Sequence, residues 1–261
     1  MAIHETAVVG SDVRFGEDVV VGAFSIIGDG VEIGDGTVLA EHVVLRRGTV
    51  LGRNNRIDSF TVVGGDPQDL GFDIQTVSGV ATGENVVMRE GVTIHRASVA
   101  GGSTVIADDV FLMAYAHVAH DCHIAKKVIL ANAVLLAGHV RIESETFLGG
   151  GAGVHQHTRI GPGVILGGNS TATYDVPPFT TIADRNGLRG LNLIGLRRRE
   201  VPTDDIRELK RCYHEVYRGG DPRPRAADAL ASGEFGTSPV GRTFLEFFAG
   251  GSRGFLRPVK D

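Results

Sequence analysis

Apolar side chains recur at every sixth position along the first part of the chain: Ile3, Val9, Phe15, Val21, Ile27, Ile33, Leu39, Leu45, Leu51, Ile57 and Val63. The period returns at Ile106, Leu112, Val118, Ile124, Leu130, Leu136, Ile142, Leu148, Val154, Ile160 and Leu166, with Met88 and Ile94 between the two runs. The residue after each is usually Gly or Ala, as at Gly10, Gly16, Gly22, Gly28, Ala119 and Ala137, and the fourth residue after it is small or branched. A period of six fits neither a helix nor plain strand alternation. It fits short strands joined by tight corners, where glycine or alanine permits the backbone path and the close approach of neighbouring layers. Three units of six make one three-sided coil of eighteen residues. Coils stack about 4.8 Å apart, the spacing of hydrogen-bonded strands. The first and fifth residues of each unit fill the prism, and the others mostly face outward.

The pattern breaks in two places. Gly65 to Thr82 (GDPQDLGFDIQTVSGVAT) shifts the phase by one residue and carries Pro67, Gly71 and Gly79, so it reads as a protruding loop. Ala100 to Val105 keeps the phase but replaces apolar residues with glycine and serine. Insertions in a solenoid tend to project from one face, often the binding face. The hexads stop after Pro177 and Pro178. The expected organisation is a coil over 1–183, with its loop near 65–82, and an α-helical unit over 184–261 that closes the open end of the solenoid. In that unit Thr203 is the predicted N-cap of a helix with Ile206, Leu209, Tyr213, Val216 and Tyr217 on one face, ended by Gly219 and Gly220. A short helix within 221–240 and a last one in GRTFLEFFAG follow.

Composition agrees with a narrow prism: 37 glycines in 261 residues, about twice the usual share, with no tryptophan and 6% aromatics. The net charge of −5, from 26 basic and 31 acidic residues, supplies no basic field for nucleic acid or an anionic membrane. Cys122 and Cys212 are too few for a disulfide framework. The start, MAIHETAVVGSDV, has neither the basic stretch nor the apolar core of a signal peptide, and no segment approaches the roughly 18 apolar residues of a membrane span. A cytoplasmic protein without stable membrane insertion and without a nucleic-acid partner is expected.

The densest chemistry is AHVAHDCH (116–123), followed by AGHVR (137–141) and GVHQH (153–157). The eighteen-residue coil places His120, Gly138 and Gln156 in one outward column, and Asp121, His139 and His157 in the next. His117 precedes the first of these corners and His155 begins the third. A lone surface histidine is usually solvated and inert. Several aligned through an independent repeat point to acid–base catalysis or metal binding. HxxHxxH at His117, His120 and His123 lacks the helical spacing of a zinc protease. Asp121, Gly138 and Gln156 fit acyl transfer better than a metal site. In acyl transfer to a hydroxyl, a histidine removes the alcohol proton, a carboxylate orients its ring, and a backbone N–H, here offered by Gly138, stabilises the oxyanion.

The hexads resemble those of the hexapeptide-repeat acyltransferases, which implies a left-handed parallel β-helix. The handedness rests on the resemblance, because the general rule for parallel crossovers favours the right-handed sense. Related γ-class carbonic anhydrases hold zinc between histidines of neighbouring solenoids, which makes a zinc enzyme an alternative. More specifically, the chain is similar to the UDP-N-acetylglucosamine O-acyltransferase family of lipid A biosynthesis. The similarity rests on GDPQDL (65–70), TIHR (93–96), AHVAHDC (116–122), LAGHV (136–140), GVHQ (153–156), DVPP (175–178), NLIGLRRR (192–199) and FLEFFAGGSRGFLRP (244–258).

The resemblance implies transfer of a 3-hydroxyacyl chain from acyl carrier protein, the co-substrate, to the 3-hydroxyl of UDP-N-acetylglucosamine, in a homotrimer without further cofactor or metal. It implies His120 as general base, Asp121 as its orienting carboxylate and Gly138 as the oxyanion donor. His117, His139, His155 and Gln156 would surround the substrates, Asp69 would contact the glucosamine, and Asn192 and Arg198 the nucleotide or donor. Arg197, Arg198 and Arg199 could also meet the acidic acyl carrier protein, or simply be solvated. Gly168 matches the position limiting acyl length, and glycine there leaves room for a long chain. Two departures stand out: Gly71 where the family has lysine, and Ile194 where an acidic residue is common. They leave open a 3-amino acceptor and an amide product.

Overall fold

The computed structural model describes residues 1–259 of the chain. From Ala2–Ile3 onward, strands of two to four residues wind into three sheets whose neighbouring strands run parallel. The first sheet contains Ala2–Ile3, Val20–Val21 and Val38–Leu39; the second Val8–Val9, Ile26–Ile27 and Val44–Leu45; the third Arg14–Phe15, Glu32–Ile33 and Thr49–Leu51. Partners stand eighteen residues apart, as in Ile3↔Val21 and Val21↔Leu39. The insertions stretch this step only locally, in Val63↔Ile94 and Ile94↔Val118, before Val118↔Leu136 restores it.

The first and fifth positions fill the prism as expected. Ile27, Val31, Leu39, Val43, Leu112, Ala116, Val118 and Cys122 are all within 1% of full burial. Polar fifth residues are tolerated there where the hydroxyl finds a corner carbonyl. Ser25 Oγ donates to Ala40 O at 2.9 Å, Thr37 Oγ1 to Gly52 O at 3.1 Å, and Thr61 Oγ1 to Arg89 O at 3.0 Å.

Glycine's expected double duty at the corners is divided between two positions. The residue after the apolar one serves mainly close approach: a Cβ on Gly22 would sit 2.5 Å from the Ala40 carbonyl carbon of the next coil. The left-handed turn falls two residues later and is often carried by Asp, Asn, His or Phe, as at Asp12 (φ 56°), His42 (φ 59°) and Asp121 (φ 58°). That conformation costs roughly 1–2 kcal/mol per non-glycine residue, which the stacked coils must offset.

Beyond Thr171–Ala172, strand Thr180–Ala183 extends the first sheet, and Gly187–Leu191 folds back antiparallel onto it. Four helices follow: α1 (Leu193–Arg198), α2 (Thr203–Val216), α3 (Pro222–Ser232) and α4 (Pro239–Glu246). They bury Leu196, Leu209, Cys212, Val216, Phe244 and Phe248 in a core of their own. Thr203 is not the cap of α2. Pro202 takes that place, without a side-chain cap bond, and Thr203 is the first helical residue. Proline's fixed φ suits the entry to a helix, and Asp204 and Asp205 supply negative charge at the positive end of its dipole.

The helical unit is latched to the coil by fully buried Asp175, whose carboxylate accepts from Arg159 N at 2.9 Å and Arg159 Nε at 2.7 Å. The same guanidinium donates to the carbonyls of Phe247 and Gly250. No helix among the described residues is long and apolar enough to cross a membrane.

Candidate active site

Both insertions open at one corner of the prism, where the second sheet passes to the third. Residues 66–78 lie between strands Val62–Gly65 and Gly79–Thr82, and residues 96–102 between Thr93–His95 and Ser103–Ile106. The next coils bring Ala119–Cys122, Ala137–Val140 and His155–Thr158 to the same corner, so the loops rise beside the histidine columns. Arg96 pins the larger loop. It is 9% exposed, pairs with Asp66 at 2.8 Å, donates to the carbonyls of Ile74 and Thr76, and lies 4.8 Å over the Phe72 ring.

His120 Nδ1 lies 2.7 Å from Asp121 Oδ2. The same oxygen accepts from Ser98 N at 3.0 Å and Ser98 Oγ at 2.6 Å, and the Asp121 amide donates to Thr104 Oγ1 at 2.8 Å. Burial pushes the Asp121 carboxyl up, but the hydrogen bonds from Ser98 and His120 outweigh it and hold the group below the usual carboxylate range. A carboxylate can only accept, so His120 donates from Nδ1 and keeps its lone pair on Nε2.

The other rings pack around this pair. His139 meets His120 edge-on at 5.1 Å between centroids and stacks on His157 at 4.5 Å. His117 Nδ1 lies 2.7 Å from Thr93 Oγ1, and His95 sits edge-on to His117 at 4.8 Å. Burial holds His117 below the ordinary histidine range. It does the same for His139, against the pull of Asp121. His95 is driven to about 4, first by burial and then by His117 and His120. Gly138 is buried one coil beyond His120, and a Cβ there would come 2.7 Å from His120 Nε2. Among the described residues the Gly138 N–H has no protein acceptor.

A cleft of about 640 Å³ runs along this corner, lined by His117, His120, Gly138, His155 and Gln156, with Gln68 from the loop and Arg185 towards the helical unit. Six sequence candidates are not in its lining: Asp121 and His139 sit against His120, and four others stand away from it. Asp69 is exposed in the loop, where its carboxylate accepts from Gly71 N at 2.8 Å; its neighbour Gln68 lines the cleft instead. Asn192 is buried as the N-cap of α1, accepting from Gly195 N at 2.9 Å and donating to Gly163 O at 3.0 Å. Arg198 is exposed at the end of α1, and Gly168 lies at another corner, where a Cβ would meet only Gly150 O at 3.4 Å.

Sequence reading missed Ser98, Thr104, Gln68, Arg185 and His95. Ser98 precedes and Thr104 lies within the second irregularity, Ala100 to Val105, and that position was the one available signal. Among the described residues, His120, Asp121 and His139 each bring one metal-capable atom within 4.8 Å of the others, with His120 Nδ1 and Asp121 Oδ2 in contact. The 2.7 Å contact between the first two is a hydrogen-bond length, and Ser98 already occupies the same carboxylate oxygen. This donor set suits an oriented base better than a cation.

A parallel solenoid of hexads with a histidine–carboxylate pair and, one coil on, an amide without an acceptor among the described residues is the pattern of the hexapeptide-repeat class of transferases. The model for bacterial transferase hexapeptide repeats matches residues 12–47, and the model for domain 2 of UDP-N-acetylglucosamine O-acyltransferase matches residues 175–256. The acyl-[acyl-carrier-protein]–UDP-N-acetylglucosamine O-acyltransferase of Stenotrophomonas maltophilia is 39% identical over 98% of this chain and 97% of its own. That of Synechocystis is 44% identical over 69% of this chain and 65% of its own length. The crystal structure of the Francisella novicida UDP-N-acetylglucosamine acyltransferase superposes with a TM-score of 0.92, at 31% identity, over 98% of this chain and 94% of that one. The chain belongs to the UDP-N-acetylglucosamine O-acyltransferase family. A coil of opposite hand could not superpose so closely, so the fold is the left-handed parallel β-helix of that family.

Proposed function

We propose that this protein transfers a 3-hydroxyacyl group from acyl carrier protein to the 3-hydroxyl of UDP-N-acetylglucosamine in the cytoplasm, as the first step of lipid A synthesis. The observation that carries the chemistry is the His120–Asp121 contact, which leaves His120 Nε2 as a free lone pair in the cleft. His120 takes the hydroxyl proton as the sugar oxygen attacks the thioester carbonyl. The Gly138 N–H receives the developing oxyanion. Collapse of the tetrahedral intermediate breaks the C–S bond, and the departing thiolate regains the proton from His120. The products are the ester and the free thiol of the carrier, with no acyl-enzyme.

The outer faces support a three-fold assembly. The first and second sheets expose Val20, Val38, Phe147, Ile26 and Leu135, and the corner between them stacks Phe24, His42 and Phe60 at 5.2 and 5.1 Å. The third sheet faces outward with Arg14, Glu32, His123, Arg141 and Arg159. Two apolar faces meeting at one edge suit a closed heterologous ring. In such a ring we assign Asp69 and Arg198 to substrate contacts completed between copies, with Asn192 capping the helix that carries Arg198, and Gly168 to the path of the acyl chain.

The loop over 66–78 contains no lysine or arginine, so Gly71 removes a cation from the acceptor side. The deciding experiment offers acyl carrier protein thioesters of several chain lengths together with UDP-N-acetylglucosamine or its 3-amino analogue, and weighs the products. Ester on the hydroxyl sugar is expected. Amide formation on the 3-amino sugar alone, or no transfer to either, would overturn the assignment. The grouping of His120, Asp121 and His139 also motivates a zinc hydratase reading, for which stoichiometric zinc and CO₂ hydration would be required.

A further inference from the structure

The last loop of the helical unit reaches the cleft through one side chain. Arg253 Nη2 lies 3.0 Å from His155 Nδ1 and 3.4 Å from Thr173 O. A guanidinium carries donors only and stays charged, so the nitrogen it meets must offer a lone pair. The proton of neutral His155 is therefore on Nε2. A competing contact, His155 Nδ1 to the Gln156 carbonyl oxygen at 3.3 Å, would need the proton on Nδ1 and would set two N–H groups against each other. The shorter, charge-assisted contact prevails.

We propose that Arg253 is a positioning residue that locks His155 in the Nε2–H tautomer, so that this ring presents a donor to substrate oxygen atoms in the cleft. Two of the three cleft histidines are then set to opposite tasks by partners of opposite charge. Asp121 accepts from His120 Nδ1 and leaves a basic Nε2; Arg253 donates to His155 Nδ1 and leaves a protonated Nε2. His155 cannot act as a second base, and any group it holds must be an acceptor, a carbonyl or a phosphate oxygen. Both substrate types offer such oxygens. The identity of the substrate rests on the acyltransfer reading; the tautomer does not.

The test joins a spectroscopic and a kinetic measurement on the full-length protein. Long-range ¹H–¹⁵N correlation, with His155 assigned by its loss in His155→Gln, is expected to show a single Nε2–H form in the wild type and a mixture of tautomers in Arg253→Met. A wild-type Nδ1–H form would overturn the proposal whatever reaction the protein catalyses. In kinetics Arg253→Met is expected to raise the KM of one substrate, carrier thioester or sugar nucleotide, by about 5- to 30-fold, the loss of one oriented hydrogen bond. Arg253→Lys, which keeps a donor, should recover part of it. Adding His155→Ala to Arg253→Met should cost little more. Multiplying effects of the two substitutions, or an Arg253→Met variant with both KM values unchanged, would overturn it; thermal unfolding of each variant separates these results from a loosened helical unit.

Discussion

His120 and Asp121 are neighbours in sequence, and yet the imidazole Nδ1 of the first lies 2.7 Å from the carboxylate of the second. In an extended strand adjacent side chains point to opposite faces. The left-handed backbone at Asp121, with φ of 58°, removes that alternation and turns the carboxylate back under the ring. His120→Ala is therefore expected to lower transfer by about 10²- to 10⁴-fold, the worth of a general base, with folding intact. Asp121→Asn keeps an oxygen for the Ser98 N–H and for His120 Nδ1–H but removes the charge that stabilises the imidazolium, and should also lower transfer. Steady-state rates on purified variants with native circular dichroism check both. Wild-type turnover in His120→Ala would remove this base from the mechanism.

Two glycines at outward positions should respond differently to a methyl group. A Cβ on Gly138 would lie 2.6 Å from His120 Cε1, so Gly138→Ala must displace the ring, and a shift of about 1 Å costs about 100-fold in rate. A Cβ on Gly168 meets only Gly150 O at 3.4 Å, so Gly168→Ala should fold and turn over normally. Bulk at that site, as in Gly168→Met, is expected to shift preference towards shorter acyl donors. A panel of thioesters of graded length measures it; an unchanged preference would detach Gly168 from the acyl path.

Acid should destabilise the fold through the buried histidines. His95 has a folded-state pKa of about 4 against the ordinary 6.5, with burial as the main cause, so the unfolded chain binds the extra proton between those values. Stability is full above about 6.5 and is lost as pH falls towards 4. His117 and His139 act in the same direction. Asp121 and Glu208, both lowered, lose their contribution only further into acid. Melting temperatures of His95→Phe should depend less steeply on pH across this window than those of the wild type, and equal slopes would contradict the assignment.

The latch rests on a partly buried ion pair of the coil, Arg159 with Asp175, the Arg159 guanidinium also reaching the Phe247 and Gly250 carbonyls of the helical unit. Asp175→Ala leaves the Arg159 Nε and its amide without their acceptor, and breaking a buried pair from one side costs up to about 3–5 kcal/mol. Urea unfolding should show that loss. A change within about 0.5 kcal/mol, the range of ordinary surface substitutions, would mean the pair is not what holds the unit.

Assembly should depend on the aromatic corner. Phe24 and Phe60, 57% and 63% exposed in one chain, flank His42 in a stack that a charge would break. Sedimentation is expected to give three copies of the 27.6 kDa chain for the wild type and smaller species for Phe24→Glu with Phe60→Glu. A monomeric wild type, or a charged variant that stays trimeric, would remove this corner from the interface.

The repeat itself was readable in the chain because each coil contacts only its neighbours at a fixed step of eighteen residues. Ile27 and Val31, or Val118 and Cys122, are buried by position in the hexad, whatever lies far away in sequence. The same arithmetic aligned His120 with Gly138 and His139 with His157, and a Cβ on Gly138 would meet the His120 ring while the other two rings stack. Local signals at helix ends were weaker. Thr203 reads as a cap until the path of the preceding proline is known.

What the sequence determined by itself was thus the coil, the inside and outside of each hexad, and the columns on one corner, all consequences of a short period. Tertiary structure decided the partners that complete the site. Ser98 reaches Asp121 across 23 residues and Arg253 reaches His155 across 98, separations set by two insertions and a helical unit that obey no repeat. It also decided that Asn192 caps a helix while Gln68, beside Asp69, lines the cleft. A periodic pattern fixes contacts between equivalent positions; contacts between inequivalent ones exist only once loops and helical unit have packed against the coil.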